Sequence, residues 1–429
     1  MTRTAEAALL AAAVVIAAMG VALVNFSTGA WLDAQVALTL LVFTVAIGAI
    51  HVAIRLWAPK ANPFLFPIAA FLTAIGFIEI YRLDSRLASI QRWSLLVAAA
   101  GAVWLLYALR TDGVATLRRF RYLFLTAAVV LLLLPFLPSD WPLRGAEVNG
   151  SRLWVRLEVG SRTVSFQPGE AAKVLLTIFL ASYLAERHIA MALVRRKIGR
   201  LTIPEPRQLG PLVIAAAASF VILVYQRDLG AALLLFVLFV GMIYLATGRT
   251  AYVVAGGVFG LAGGLLAYRT FDHLQRRFES WLHPFDDYAG GGYQIIQGLF
   301  ALGSGSLTGS GLGSGRPNLI PAAETDFIFV AVAEEMGFAG SVAVITAYAL
   351  LVALGFGIAL RARDVFKKVL AAGLTLVLGL QAILILAGVL RLLPVTGITL
   401  PFMSYGGSSL IANMLLMTLL ARVSHEVGQ

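Results

Sequence analysis

An all-α polytopic membrane protein of about twelve transmembrane helices is what this sequence predicts, and three observations predict it. The 429 residues are 60% hydrophobic. Only 13% are charged, where a soluble domain carries roughly 25%. The apolar residues fall in long runs, and a bilayer core about 30 Å thick needs about 20 of them in a helix.

Taken in order, such runs cover 7–26, 35–57, 63–81, 92–109, 119–137, 171–186, 211–226, 230–247, 251–268, 327–360, 369–390 and 406–421. The first has the length of a signal peptide, but further spans follow it and no small-residue cleavage pattern is evident, so it reads as a true span. Basic residues orient the set. With the N-terminus inside, 19 Lys and Arg fall on the cytoplasmic side and 13 on the outer side, Lys173 standing at a span edge. "RHIAMALVRRKIGRLTIPEPR" (187–207) carries six of them and "RARDVFKK" (361–368) four, so both face the cytoplasm. The two longest connections, 138–169 and 269–325, then lie outside. The net charge of +11 follows from this sidedness and anionic headgroups. No basic stripe interleaved with aromatics points to nucleic acid. The chain has no Cys, so disulfide and thiolate chemistry are excluded, and its five scattered His give no zinc-binding spacing. One polytopic domain is expected, without the internal repeat common in transporters.

Polar chemistry gathers in four places. In "SFQPGEAAK" (165–173), Pro168 suits the first turn of a helix. Glu170 and Lys173, three apart, share a helical face and can pair. An ion pair entering a span is either functional or a snorkelling interfacial anchor. In "YQRDLGAA" (225–232), Asp228 reads first as a cap for the following helix.

The third place is the outer segment 269–325. Asp286 and Asp287 precede "AGGGYQIIQGLFALGSGSLTGSGLGSG" (289–315), in which ten residues are Gly. The adjacent acids read either as a solvated loop or cap, or as a functional pair. The tract lacks GxxxxGK[ST] and a preceding strand, so a nucleotide site is not expected. Its glycines can expose N–H groups to an anionic ligand. "IIQGLFALG" (295–303) is too short to span and reads as a re-entrant or interfacial helix. The run 324–360 is instead too long for one span, with Glu334 and Glu335 partway along it and Gly337 and Gly340 beyond. The fourth place is "LPVTGITLPFMSYGGSSL" (393–410), where Pro394 and Pro401 break a helix and Gly406–Gly407 admits close backbone approach.

These places, in this order, resemble the signature of the SEDS family, the bacterial shape, elongation, division and sporulation proteins that include RodA and FtsW. "LPFMSYGGSS" is the most specific match. "QPGEAAK", "GGGYQIIQGLFALGSG" and "TDFIFVAVAEEMGF" also resemble family motifs, and together the matches cover roughly 145–421. The resemblance implies a ten-helix core, 61–429, preceded by a two-helix extension, 1–60, and a large extracytoplasmic loop at 269–325. The extension and "IYRLD" (80–84) are most similar to RodA-type members of high-GC Gram-positive bacteria. The sequence departs from the family pattern in four places: Tyr288 stands for Pro, Gly169 for Ser and Arg227 for Pro, while Ala322 and Glu324 occupy positions usually held by Glu and His.

What the resemblance implies is a peptidoglycan glycosyltransferase of cell-wall elongation, joining lipid II units by β-1,4 transfer with release of undecaprenyl pyrophosphate. Asp287 is implied as the catalytic base, or as a ligand for a divalent cation, Mg or Mn, against the pyrophosphate. Lys173, oriented by Glu170, is implied at the leaving group. Gln167, Asp228, Tyr293, Gln297, Ser404, Gly406, Gly407 and Ser408 complete the implied substrate-binding set. The implied partners are lipid II, the nascent glycan and a class B penicillin-binding protein. The alternatives are a lipid II flippase, a scaffold that recruits wall enzymes, or the division-type member of the same family.

Overall fold

The computed structural model describes residues 3–29, 34–138, 140–148, 151–159, 162–193, 196–198, 201–203 and 206–428. The chain begins with α1 (Arg3–Thr28), α2 (Ala34–Trp57), α3 (Leu65–Leu83) and α4 (Ser85–Ala108), then a short α5 (Ala115–Arg119) and α6 (Arg121–Leu133), which a 3₁₀ turn extends to Phe136. Strands β1 (Leu143–Val148), β2 (Ser151–Val159) and β3 (Arg162–Phe166) precede α7 (Pro168–Leu193). After β4 (Arg196–Ile198) and β5 (Leu201–Ile203) come α8 (Pro206–Tyr225), α9 (Leu229–Thr247), α10 (Thr250–Thr270) and α11 (Asp272–Leu282). A 3₁₀ turn (Pro284–Asp287), α12 (Tyr293–Ser304), α13 (Ile328–Arg361), α14 (Val365–Val389) and α15 (Gly407–Val427) complete it.

Each of the twelve apolar runs falls on a helix. Among the described residues, ten helices are long and apolar enough to cross a membrane. The run 119–137 falls on α6 with its 3₁₀ extension, and 211–226 on α8. The protein is a multi-pass membrane protein. Local chemistry sets the boundaries. Pro168 opens α7, where its missing N–H has no partner to lose. Asp84 caps α4, its carboxylate accepting from Arg86 N–H at 2.7 Å and Leu87 N–H at 3.2 Å. Asp228 caps α9 through Ala231 N–H at 2.9 Å, as its sequence context led us to expect.

Two features modify the all-helical expectation. The segment 138–169 contains a small antiparallel sheet ordered β1-β2-β3, with Leu157 opposite both Leu143 and Val164. β4 and β5 form a second pair. The sidedness read for 187–207 rests in part on Arg195 and Arg200, which lie outside the described residues. The overlong run 324–360 is resolved by a break. Within α13, Gly337 leaves helical geometry at φ 67° and ψ −164°, so two helical pieces meet there. The short apolar stretch 295–303 is α12, 12 residues long. That is about 18 Å of helix, too short to cross a bilayer core.

The chain divides into two compact units. The first comprises Met1–Arg110, Ala267–Leu354 and Leu378–Gln429, and the second Thr111–Leu266 and Gly355–Val377. The two N-terminal helices belong to the first unit, where Tyr81 of α3 donates to Asn25 Oδ1 at 2.7 Å and Arg92 of α4 donates to Gln35 Oε1 at 2.9 Å. Two groups of contacts fix the alternation of its ends. Arg3 donates to the Ala58 and Ala61 carbonyls, and Lys60 N–H donates to His425 Nδ1. Elsewhere Arg82 meets Glu335, Trp281 meets Arg391, and Ser404 meets Thr325. The N-terminus, the α2–α3 connection and the C-terminus therefore share one end, and 269–325 shares the other with 390–406. That alternation is the one the span count requires.

Candidate active site

Asp287 lies in the first unit, at the end of the 3₁₀ turn that follows α11. Its Oδ2 accepts Gly291 N–H at 2.7 Å, and its main-chain carbonyl accepts Gly292 N–H at 3.1 Å. The backbone thus wraps around the carboxylate it carries. The glycines are needed for that wrap: a Cβ at Gly290 would overlap the Asp287 carboxylate, and one at Gly292 would overlap the Pro284 carbonyl. The side chain is exposed, with Oδ2 oriented by this bond. Asp286 is placed differently. It projects with 82% of its side chain exposed, 4.0 Å from His283 Nδ1. Tyr293 opens α12 with its ring edge-on to Tyr288, centroids 6.3 Å apart, and Gln297 follows one turn later, half-buried.

Ser404, Gly406, Gly407 and Ser408 also belong to the first unit. Ser404 is buried, its hydroxyl donating to the Thr325 carbonyl at 2.5 Å and accepting from Leu400 N–H at 2.8 Å. Gly406 N–H donates to Gln91 Oε1 at 3.2 Å, while Gln91 Nε2 donates to the Ser404 carbonyl at 3.3 Å. A Cβ at Gly407 would meet the Ser94 hydroxyl. Tyr405 N–H donates to the Glu324 carbonyl at 2.7 Å, and burial pushes its phenol up, Asp84 and Glu324 adding to the effect and Arg86 opposing it. Ser404 and the two glycines therefore hold the loop in shape against α4 and 324–325. Gln91, the residue that clamps them, lies in no motif that would mark it in the sequence.

Glu170, Lys173, Gln167 and Asp228 belong to the second unit. Lys173 Nζ lies 2.9 Å from Glu170 Oε2, with side chains 6% and 7% exposed, so the i,i+3 pair read from the sequence forms and is buried. The Gln167 carbonyl accepts Glu170 N–H at 3.3 Å, tightening the first turn of α7.

The glycine tract's N–H groups have partners of their own. Gly309, Gly311 and Gly313 adopt left-handed φ of 84°, 96° and 81°, which bring the loop against α13. Ser310 N–H and Gly311 N–H donate to the Glu334 and Glu335 carbonyls, at 2.9 and 3.0 Å. Gly313 N–H donates to Glu335 Oε2 and Arg316 N–H to Glu334 Oε1, both at 2.8 Å. This stretch cradles carboxylates of the chain itself. Glu79 of α3 is buried nearby in the same unit, with neither oxygen hydrogen-bonded.

Among the described residues no three His, Asp or Glu side chains come together that could hold a metal ion. A single exposed carboxylate suits a divalent cation shared with substrate phosphates, the mode in which Mg²⁺ keeps its waters and one or two carboxylates. Asp287 fits that use.

The family model for the FtsW/RodA/SpoVE cell cycle proteins matches residues 62–429. The chain is 40% identical to the peptidoglycan glycosyltransferase RodA of Mycobacterium tuberculosis (strain ATCC 25618 / H37Rv) over 396 residues, 90% of this chain and 82% of that one. Among solved structures it resembles a chain from work on the coordination of polymerization and crosslinking by a peptidoglycan synthase complex, with a TM-score of 0.68 and 27% identity over 86% of this chain and 98% of that one. It also resembles the rod shape determining protein RodA of Thermus thermophilus, with a TM-score of 0.58 and 26% identity over 86% and 98% of the two chains.

Proposed function

Because the chain belongs to the FtsW/RodA/SpoVE family of cell cycle proteins, we propose that it is a membrane peptidoglycan glycosyltransferase of the elongation type. It joins lipid II units into β-1,4-linked glycan. The acceptor sugar's 4-hydroxyl attacks the anomeric carbon of the donor, the bond to the donor's pyrophosphate breaks, and undecaprenyl pyrophosphate leaves.

A sugar hydroxyl is a poor nucleophile at neutral pH and needs a positioned base. One observation carries the assignment: Asp287 is an exposed carboxylate whose Oδ2 is fixed by Gly291 N–H at 2.7 Å, which holds the group in one orientation while leaving it open to solvent. Asp287 takes the proton as the C–O bond forms. In the alternative reading Asp287 holds a divalent cation in place of acting as the base, and the cation would offset charge on the leaving group. Lys173, held by Glu170, is the residue we assign to the departing pyrophosphate. Tyr293 and Gln297 line the approach to the Asp287 turn, and the clamped 404–408 loop shapes the groove.

The end that carries Asp287 faces outward in this reading, supported by the excess of Lys and Arg at the opposite ends of the spans. A class B penicillin-binding protein is the partner, supported by the likeness to a chain of a peptidoglycan synthase complex.

The test is polymerisation by the purified chain, given lipid II with Mg²⁺ or Mn²⁺. Glycan ladders are expected, and Asp287→Asn should abolish them while membrane insertion is unchanged. Transbilayer movement of lipid II without polymer would replace this reading with a flippase. Full polymerisation by Asp287→Asn would remove Asp287 from the reaction.

A further inference from the structure

At the end of α14, Leu392 N–H donates to the Ala387 carbonyl at 2.8 Å and Arg391 N–H to the Gly388 carbonyl at 3.1 Å. These are the paired bonds of a Schellman motif, which puts Arg391 at the position glycine usually takes. Its φ is 58°, a left-handed conformation unfavourable for any side chain with a Cβ. A non-glycine residue persists there when its surroundings over-determine it.

What holds Arg391 is the end of α11. Its Nε donates to the Trp281 carbonyl and its terminal nitrogen to the Leu282 carbonyl, both at 2.9 Å. In return, Trp281 Nε1 donates to the Arg391 carbonyl at 3.0 Å. The last carbonyls of a helix have no partner within it, and a cation there also suits the helix dipole. The three bonds close a clasp between residues 281–282 and 391.

We propose that Arg391 and Trp281 are positioning residues that fix where α11 ends and so aim the turn carrying Asp287. This rests on the reading of Asp287 as the base. The connection between clasp and base is short and stiff. His283 N–H donates to Glu279 O at 2.8 Å, Asp286 N–H donates to His283 O at 3.2 Å, and Pro284 is buried. Releasing the carbonyls of 281 and 282 lets the turn shift as a unit.

Arg391→Gly separates positioning from stability, because glycine suits the left-handed backbone but lacks the guanidinium. With the full-length protein and lipid II, kcat should fall by on the order of 10²-fold, the loss expected for a misplacement of about 1 Å. KM should stay within about twofold, and the thermal midpoint should fall less than in Arg391→Ala, since glycine relieves the backbone strain that alanine keeps. Added guanidinium ion should recover part of the rate. Trp281→Phe should lower kcat by a smaller factor, and the double variant should be no slower than Arg391→Gly alone. Wild-type kcat in Arg391→Gly overturns the proposal, as does an Arg391→Gly that fails to fold alongside a Trp281→Phe with wild-type kcat. Asp287→Asn is run in parallel. Its inactivity beside a fully active Arg391→Gly refutes the clasp alone, whereas its full activity refutes the base itself.

Discussion

Arg82 and Glu335, 253 residues apart in the chain, meet as an ion pair with Arg82 Nε 3.1 Å from Glu335 Oε1. Both side chains are withdrawn from solvent, at 15% and 0% exposure. Arg82 also donates to the Gly315 carbonyl at 3.0 Å, and Glu335 also accepts Gly313 N–H at 2.8 Å. One guanidinium and one carboxylate thus pin α3, α13 and the glycine loop together. Removing a single member leaves the other charge buried and unpaired, which costs about 3–5 kcal/mol. Arg82→Ala should therefore lower the thermal midpoint of the purified protein sharply. Arg82→Lys should not restore it, because an ammonium lacks the fork that reaches two acceptors. An unchanged midpoint in Arg82→Ala would mean the pair is dispensable.

Gly337 breaks α13 two residues after that carboxylate. Its φ of 67° with ψ of −164° is a backbone region open essentially to glycine. A Cβ would also overlap the backbone of 308–309. Gly337→Ala should destabilise by at least the strain cost of about 1–3 kcal/mol. Thermal unfolding of the purified variant reads this directly. A midpoint equal to that of the parent would show that the two pieces of α13 tolerate continuous helix.

The membrane spans were legible because run length is a one-dimensional property. Even the break in α13 announced itself as a run longer than a bilayer needs. Glu170–Lys173 was legible because helix periodicity places i and i+3 on one face, and the Asp228 cap because capping acts within three residues. Arg82–Glu335 and the clamp at Gln91 were not, since nothing local relates residues brought together by helix packing. The β1–β3 sheet is a different case. Asn149-Gly150 stands between the paired Val148 and Ser151, a strong hairpin signal. Residues 155–159 also alternate in polarity. Run length does not reveal either, because a half-buried strand shows itself only at period two. The glycine tract reads in the sequence as a loop that can expose N–H groups to an anionic ligand, but nothing local shows that the N–H groups of Gly313 and of the neighbouring Arg316 serve the chain's own Glu335 and Glu334.

Glu170 and Lys173 allow stability to be separated from chemistry. Their Nζ–Oε2 distance of 2.9 Å and near-complete burial make loss of one partner costly. Lys173→Met should lower both the thermal midpoint and polymerisation. The double change Glu170→Leu with Lys173→Met replaces the pair with apolar volume, which is often neutral for stability. It should recover the midpoint yet leave polymerisation reduced by on the order of 10²–10³-fold, the scale for one lost donor at a developing charge. Recovery of both would reduce the pair to a structural element of α7.

Gln91 spans the gap between α4 and the 404–408 loop with both ends of its amide. Nε2 reaches the Ser404 carbonyl at 3.3 Å, Oε1 takes Gly406 N–H at 3.2 Å, and the side chain is 1% exposed. Gln91→Leu keeps the volume but strands a donor and an acceptor away from water. An unsatisfied buried group costs about 1–3 kcal/mol. The loop should therefore loosen before the helices do. Faster amide hydrogen exchange is expected at 402–408 than in the parent, together with a lower polymerisation rate. Gln91→Glu presents two oxygens and keeps only the bond from Gly406 N–H, so its exchange should fall between the two. If exchange at Gly406 is unchanged in Gln91→Leu, the loop is held by Ser404 and Tyr405 alone, through their bonds to the Thr325 and Glu324 carbonyls.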